Sequence, residues 1–180
     1  MANKDAAFGL RPIGKVGQNG DNAGLSEYDI AASATAIYQN DPVKMINTGT
    51  IGVAAAGDVL LGSLNGVFFT DATTSKPTFA NHLNASNTAT DIVGFVSDDP
   101  YQRFEVQSDN AGASAQTDIG NVADIVYAAG SSPDYVSKVE LDDSDLAASD
   151  GQLKVIGLSK DPDNNDLTSA NVNWVVTINE

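Results

Sequence analysis

The sequence contains no cysteine and a single histidine, His82. The absence of cysteine excludes disulfides, thiolate metal ligands and a cysteine nucleophile, and one histidine cannot form a multi-histidine metal site. His82 lies in FANHLNAS, among residues typical of loops and with no nucleophile motif nearby, so a solvated loop histidine is expected. We therefore predict a protein that is not an enzyme and that uses no cofactor.

Basic residues are also scarce, since 24 acids stand against 9 Lys and Arg and the formal net charge is -15. The field of such a chain repels the phosphates of nucleic acid and the anionic lipids of a membrane. No apolar run approaches the ~18 residues that span a bilayer, and the first residues lack the apolar segment of a signal peptide. We expect synthesis in the cytoplasm, with neither nucleic acid nor membrane as a partner.

Long helical patterns are missing, and strand patterns take their place. RFEVQ alternates Phe104 and Val106 with polar residues, which predicts a strand with one buried and one wet face, and VNWVVTINE alternates in the same way with Trp174 on its inner face. IVGFV and LKVIGL are short apolar runs typical of central strands. In VLLGSLNGVFFTD, the pair Asn65-Gly66 predicts a tight hairpin turn.

These patterns predict a mainly β fold with little helix, either a small β-barrel or a β-sandwich. Helix is expected for at most a turn or two, in DDSDLAASDG and in AASATAI. Residues 1–24 contain five glycines and keep no period, so they predict an extended N-terminal arm before a β-rich body at 25–180. An echo between GFVSDDPYQRFEVQ and GLSKDPDNNDLTSANVNWVVTI suggests two related β modules, 25–108 and 109–180.

One acidic loop has spacing similar to that of a calcium site. DPDNND places Asp161, Asp163, Asn165 and Asp166 close together, and hard cations need several oxygens from one short turn. The EF-hand pattern fails at its sixth position, where Asp166 replaces glycine, and at its twelfth, where Val172 replaces glutamate. We predict no metal site and keep these four residues only as a candidate calcium loop.

Several blocks of the chain together resemble a known family. The blocks, in order, are MANKDAAFGLRPIGKVG, NDPVK, DIVGFVSDDPYQRFEVQ, DIGNVADIVY, LKVIGLSKDPDNND and the ending WVVTINE. They are similar to a family of small virion structural proteins of marine and cyanobacterial tailed phages, described as capsid decoration or cement proteins. The resemblance covers nearly the whole chain, and that family has no catalytic residues to transfer.

The resemblance implies a protein on the outer capsid surface of the virion that clamps neighbouring subunits of the major capsid protein, often as a homotrimer. A flexible arm that orders on docking can cross a subunit boundary by adding to a sheet edge. The expected capsid-binding residues are the apolar anchors Phe8, Leu10 and Ile13 and the bases Lys4, Arg11 and Lys15. Deletion of residues 1–22 is expected to leave a folded protein that no longer binds capsid.

Two alternatives stay open at this point. The first is another virion component, such as a head fibre or a tail protein, which would share the composition and bind elsewhere in the particle. The second belongs to a different class, a cation- or carbohydrate-binding β-module that uses the Asp-rich loops.

Overall fold

The computed structural model describes residues 2–16, 24–109, 114–147 and 149–179, and this part of the chain is mainly β with antiparallel sheets. No closed barrel forms in these ranges, and the architecture is that of a β-sandwich-like fold, which confirms the predicted fold class. The strands are β1 Arg11–Lys15, β2 Ser26–Asp29, β3 Pro42–Met45, β4 Ile51–Val53, β5 Gly62–Thr70, β6 Pro77–Ala80, β7 Val93–Ser97, β8 Gln102–Gln107, β9 Val122–Ala123, β10 Ile125–Val126, β11 Glu140–Leu141, β12 Leu153–Leu158 and β13 Asn173–Ile178.

Helix is limited, within the described residues, to one 3-10 turn at Gln116–Asp118. The two stretches predicted to make a helical turn, 31–37 and the described part of 142–151, contain turns and bends instead. Asp142 explains one of these, because its carboxylate accepts hydrogen bonds from the N–H and hydroxyl of Ser144 and so favours a turn over a helix. No helix in the described ranges has the length and apolar character needed to cross a bilayer.

A five-stranded sheet has the order β1-β8-β13-β12-β9. Its core contains Trp174, fully buried as predicted, and Phe104 from the neighbouring strand. β12, formed by LKVIGL, lies inside the sheet as predicted. The other members of this core are Leu10, Ala54, Leu60, Val106, Ala123, Ile125, Val139, Leu141, Leu153, Val155, Val172 and Val176.

A six-stranded sheet has the order β2-β7-β5-β3-β4, with β6 also paired to β5. It has a separate hydrophobic core of ten buried side chains. β7, which contains most of IVGFV, lies between β2 and β5 and is therefore a central strand, as predicted. The core residues are Ile30, Ile37, Val43, Ile51, Leu64, Val67, Leu83, Ala89, Ile92 and Val96.

β10 and β11 form a separate two-stranded sheet. The two larger sheets divide the chain in a way that the internal echo does not follow. The six-stranded sheet uses residues 26–97, whereas the five-stranded sheet combines β1 with strands from 102 onward. β12 and β13 pair with each other, but β7 and β8, the strands matched to them by the echo, lie in different sheets. The echo is therefore not a repeated hairpin, and the division into modules 25–108 and 109–180 stays a prediction.

The predicted hairpin turn at Asn65-Gly66 was wrong. Both residues lie inside β5, where Leu64 pairs with Val96 and Gly66 with Phe95, so that Asn65 is the extra residue of a β-bulge. An ideal Cβ on Gly66 would lie only 3.0 Å from the carbonyl oxygen of Ala80. Glycine at this position lets a neighbouring strand lie close to the bulge. Glycine is common in tight turns, but within a strand it also marks bulges and close approaches of another backbone.

The predicted wet face of β8 was also wrong. Phe104 and Val106 are buried as expected, but Glu105 and Gln107 on the opposite face are buried as well, at 5% and 1% exposure. Alternation correctly separates the two faces, yet burial of the polar face requires a covering segment with matching hydrogen bonds. The N-terminal segment provides part of that cover.

The N-terminal arm, predicted to be extended, is packed on the body over residues 2–16, and residues 17–23 lie outside the described part. β1 pairs antiparallel with β8 at one edge of the five-stranded sheet. Gly9 has a φ of +74°, and an ideal Cβ there would lie 2.4 Å from the carbonyl oxygen of Asn40 and from Cβ of Ser137. Only glycine fits this close approach, so it lets the chain enter the body just before Leu10.

Candidate functional site

The start of the arm is held by the loop at 161–171. The Nδ2 of Asn3 donates to the carbonyl oxygens of Asp166 and Ala170, at 3.0 and 2.8 Å, and the N–H of Asp166 donates to Oδ1 of Asn3 at 3.2 Å. One side-chain amide thus uses both its donor and its acceptor on the backbone of this loop. Hydrogen bonds in both directions fix the start of the arm at one position on the loop.

Two buried amides continue this attachment. Gln107 accepts a hydrogen bond from the N–H of Ala6 at 2.8 Å and donates to the carbonyl oxygen of Lys4 at 2.9 Å. Asn164, which is 5% exposed, donates to the same carbonyl oxygen at 2.7 Å and to that of Asn171, also at 2.7 Å. We call the segment 2–10 together with Gln107, Asn164 and the loop 161–171 the N-terminal clasp.

Leu10 joins the arm to both sheets. Its side chain is fully buried in the core of the five-stranded sheet. Its N–H donates to the carbonyl oxygen of Asn40 at 2.9 Å, and its carbonyl oxygen accepts from the hydroxyl of Ser63 on β5 at 2.6 Å. Leu10, predicted as a capsid anchor, is therefore a core residue in this structure, and deletion of residues 1–22 would remove part of the core together with the arm.

Arg11 compensates a buried acid. Its guanidinium forms an ion pair with Glu105, which also accepts a hydrogen bond from the hydroxyl of Ser159. The same guanidinium lies 4.4 Å from the centroid of the Phe8 ring, a cation–π contact. Phe8, the second predicted anchor, is half-buried under this contact.

The other two predicted bases are paired in the same way. Lys4 forms an exposed ion pair with Asp163, and Lys15 pairs with Asp99 at 2.7 Å. The ion pair holds the pKa of Asp99 below its usual range, mainly through the hydrogen bond from Lys15. All three bases predicted to meet the capsid thus contact acids of this chain, and exposed pairs such as Lys4–Asp163 add little to stability.

Ile13 is the predicted anchor that the structure leaves at the surface. It is 47% exposed, and Val16, which follows the last residue of β1, is 38% exposed. In the described part of the chain β1 pairs with no strand other than β8, and the register shifts at Ile13, which is the extra residue of a β-bulge on this edge strand. An open strand edge with exposed apolar side chains can accept a further strand from another molecule.

The candidate calcium loop uses its oxygens for other contacts. Asp161 accepts a hydrogen bond from the N–H of Asp163, which itself pairs with Lys4. The hydroxyl and N–H of Thr168 donate to Asp166 and lower the pKa of its carboxyl. Asn165 is exposed. Among the residues that the structure describes, no three acidic or histidine side chains are arranged to hold a metal ion.

The surroundings of Asp41 and Glu140 disfavour the ionised forms of their side chains. Burial raises the pKa of Asp41 to about 6, although the hydroxyl of Ser137 and the N–H of Tyr38 partly offset the effect. Burial also raises the pKa of Glu140 to about 7, and the negative charges of three nearby acids add to it. Those acids are Asp5, Asp109 and Asp143, and Lys138 acts weakly in the opposite direction.

His82 belongs to an aromatic stack and is half-buried, so the expected solvated histidine was wrong. Its ring lies 3.8 Å from the ring of Tyr135, centroid to centroid, with an angle of 3° between the planes. Burial lowers its pKa, which favours the neutral ring. A neutral ring stacked on tyrosine and hydrogen-bonded to Asn81 is a packing element.

Comparison with protein-family models, with curated proteins and with solved structures found no match for this chain.

The geometry at the N-terminus is that of a structural attachment. Gln107 and Asn164 are the residues that hold it, and the sequence did not single out either of them. Gln107 was placed on a wet strand face, and Asn164 lies between the two residues nominated as calcium ligands, Asp163 and Asn165. Nothing in the local pattern marks a buried amide that serves a segment about 100 or more residues away, so only the fold could identify them.

Proposed function

We propose that this protein is a non-enzymatic virion structural protein that decorates the outer surface of a tailed-phage capsid and stabilises it by bridging major capsid protein subunits. The order of sequence blocks that resemble the cement-protein family supports this assignment. The structural observation that carries it is the open edge of β1, where Ile13 is exposed beside the unpaired side of the strand.

The mode of contact follows from how the arm is held. Because residues 3–10 are already attached to the body, the entropy of ordering them is lost on folding and not on binding. A shell subunit would then meet a rigid edge and not a flexible arm. Strand addition along β1 supplies backbone hydrogen bonds, and Ile13 and Val16 supply apolar contact.

Bridging also explains why modest contacts suffice. A protein that holds two subunits of one shell gains effective concentration at the second contact once the first has formed. We propose a homotrimer as the functional unit, which multiplies the contacts again. Light scattering should give three times the chain mass, at micromolar concentration or on the shell, and a monomer in both settings would contradict the trimer.

The test uses empty shells assembled from the major capsid protein encoded in the same genome. We expect the purified protein to co-sediment with the shells, to raise their melting temperature and to appear as density on their outer surface by cryo-electron microscopy. Absence of binding at micromolar concentration, or density at the tail of the native particle, would overturn the proposal.

The β1 edge has a matched control. Ile13 and Met45 are both 47% exposed, and they lie in different sheets. Ile13→Ser should weaken shell binding severalfold, whereas Met45→Ser should leave it unchanged. Equal binding by wild type and both variants would remove the β1 edge from the contact.

A further inference from the structure

The outer face of the six-stranded sheet carries a row of side chains in register across four strands. Asp29 on β2 pairs with Val93 on β7, Val93 pairs with Phe68 on β5, and Phe68 pairs with Phe79 on β6. Residues directly opposite each other on neighbouring strands point to the same face of a sheet. The four side chains therefore form one continuous line across the sheet.

This face is the outer one because the alternate residues fill the core. Val67 and Val96, which neighbour Phe68 and Phe95 in sequence, are buried at 1% and 0% exposure. Phe79, by contrast, is 74% exposed, more than most large apolar side chains in a folded protein. The row thus faces solvent.

Phe95, two residues after Val93 on β7 and on the same face, joins Phe68 and Phe79 of the row in an aromatic surface. The ring of Phe79 lies 4.8 Å from that of Phe68 and 6.3 Å from that of Phe95, centroid to centroid, and is nearly parallel to Phe95 at 18°. A shallow depression of about 360 Å³ beside them is also lined by Leu25, which is 38% exposed. We call Phe68, Phe79, Phe95 and Val93 the phenylalanine surface. Phe68 and Phe95 are half-buried and Phe79 is exposed, and an apolar cluster open to solvent in this way marks a contact site with another protein.

Two carboxylates border this surface. Glu27 is opposite Phe95 and Asp29 is opposite Val93 on the edge strand β2, and both are exposed. In the described residues, neither side chain has a hydrogen bond or an ion pair, whereas Asp71, Asp91 and Asp98 are all hydrogen-bonded. The border is therefore negative and free to meet a cation.

The part of the chain that forms the six-stranded sheet also carries a net negative charge. Residues 25–97 contain six acids and two lysines, and one lysine, Lys44, is paired with Asp58 at 2.6 Å. Charge complementarity at this border then favours a cationic partner over a second copy of the same surface, which would bring the same carboxylates Glu27 and Asp29. The acids are Glu27, Asp29, Asp41, Asp58, Asp71 and Asp91, and the lysines are Lys44 and Lys76.

From the registered row and its free carboxylates we infer that the phenylalanine surface is a second capsid contact, which takes an apolar side chain flanked by Lys or Arg of the major capsid protein. This inference rests on the proposed function. A protein that bridges two subunits needs two separate surfaces, and the β1 edge belongs to the other sheet. Aromatic anchors surrounded by a polar rim are the usual centres of binding energy in protein interfaces.

The experiment measures binding to the empty shells described above. Phe79→Ser removes the most exposed ring, and Val59→Ser is its matched control, because Val59 is also 74% exposed but lies before β5, beside Leu60 and Met45. We expect at least tenfold weaker binding for Phe79→Ser and unchanged binding for Val59→Ser. The double variant Glu27→Gln/Asp29→Asn should bind severalfold more weakly at low salt and lose part of the salt dependence of the wild type.

Each other outcome overturns the inference. If Phe79→Ser and the carboxylate variant bind as the wild type does while Ile13→Ser binds weakly, the proposed function stands and the phenylalanine surface is not a contact. If Phe79→Ser and Val59→Ser weaken binding equally, the loss is not specific to this surface. If Phe79→Ser changes the mass measured by light scattering, the surface joins copies of this chain. If the wild type itself does not bind shells, the proposed function fails together with the inference.

Discussion

The two sheets differ in which of their faces are covered. On β8 of the five-stranded sheet, both the apolar pair Phe104 and Val106 and the polar pair Glu105 and Gln107 are buried. On the six-stranded sheet, one face packs in the core and the other exposes Phe79. The polar face is thus hidden and the apolar face is open, the reverse of what side-chain polarity alone predicts.

The two faces differ because another segment of the chain covers only one of them. The polar face of β8 meets the N-terminal arm, where the backbone of Lys4 and Ala6 hydrogen-bonds Gln107 and the guanidinium of Arg11 pairs with Glu105, so burial leaves these groups hydrogen-bonded. The phenylalanine surface meets no such segment in the described part of the chain. Whether a sheet face is exposed therefore depends on whether a remote segment covers it. The polarity of its side chains sets only the free-energy cost of burying that face.

The largest effect is expected from a substitution at Leu10, which anchors the arm in the core. Leu10→Ala should lower the free energy of unfolding by about 2–5 kcal/mol, because it removes a fully buried side chain from the core. Ile13→Ala on the same arm is the control and should cost less than about 0.5 kcal/mol, since Ile13 is half exposed. Urea unfolding measures both, and equal effects would show that the arm is not part of the core.

Buried acids give a second contrast between the sheets. Glu105 has Arg11 as its partner, whereas Asp41 has only neutral partners and a pKa raised to about 6. A carboxyl whose pKa is raised on folding favours the folded state below its ordinary pKa, and that stability is lost as pH rises through the folded value. For Asp41 this loss totals on the order of 3 kcal/mol. Glu140, with its pKa at about 7, has the same sign.

We therefore expect the wild-type free energy of unfolding to fall between pH 4 and pH 8. Asp41→Asn should remove the part of this fall between about pH 4 and pH 6, and Asp41→Asn/Glu140→Gln should also remove the part that extends to about pH 7. Urea unfolding at several pH values measures the effect. A slope in the double variant equal to that of the wild type would show that neither acid is destabilised by burial.

The hydrogen-bonded cover of β8 is tested by Gln107→Ala. The change leaves the N–H of Ala6 without its acceptor, so we expect a loss of about 1–3 kcal/mol and faster trypsin cleavage after Lys4. Asn165→Ala, an exposed change in the loop of the clasp, should stay within about 0.5 kcal/mol. Unchanged cleavage in Gln107→Ala would mean that this amide does not hold the arm.

The smallest change in stability is expected for a substitution on the exposed face of the six-stranded sheet. Phe79→Ser should change the free energy of unfolding by less than about 0.5 kcal/mol, because the ring is mostly exposed. A loss of more than about 2 kcal/mol would show that the ring supports the sheet itself. This face of the six-stranded sheet would then be part of the folded core.

Sequence patterns predicted the strands well where neighbours in sequence decide the outcome. The buried positions of Phe104, Val106 and Trp174 follow from alternation, and the central strands β7 and β12 follow from short apolar runs. Asn65-Gly66 was misread because its residues suit both a turn and a bulge. Only the pairing of β5 with β7 on both sides of Asn65 distinguishes the two.

At the candidate site, the arm shows most clearly what sequence patterns could not predict. Its glycines and missing period predicted an extended segment, and β1 is extended, but nothing local indicated that Leu10 enters the core. Of the predicted contact residues, Arg11 and Lys15 pair with acids far along the chain, and Ile13 stays exposed. These partners are separated from the arm by more than 80 residues, so no short pattern contains them.

Composition and residue periodicity were enough to establish a mainly β, cysteine-free and strongly acidic chain, because they are local properties that act on each strand separately. The tertiary structure alone decided that the arm covers the polar face of β8, that Asn164 and Gln107 hold it, and that the phenylalanine surface stays open. The physical reason is that burial and hydrogen bonding at these places depend on groups brought together from distant parts of the chain. Their match in space is a property of the whole fold.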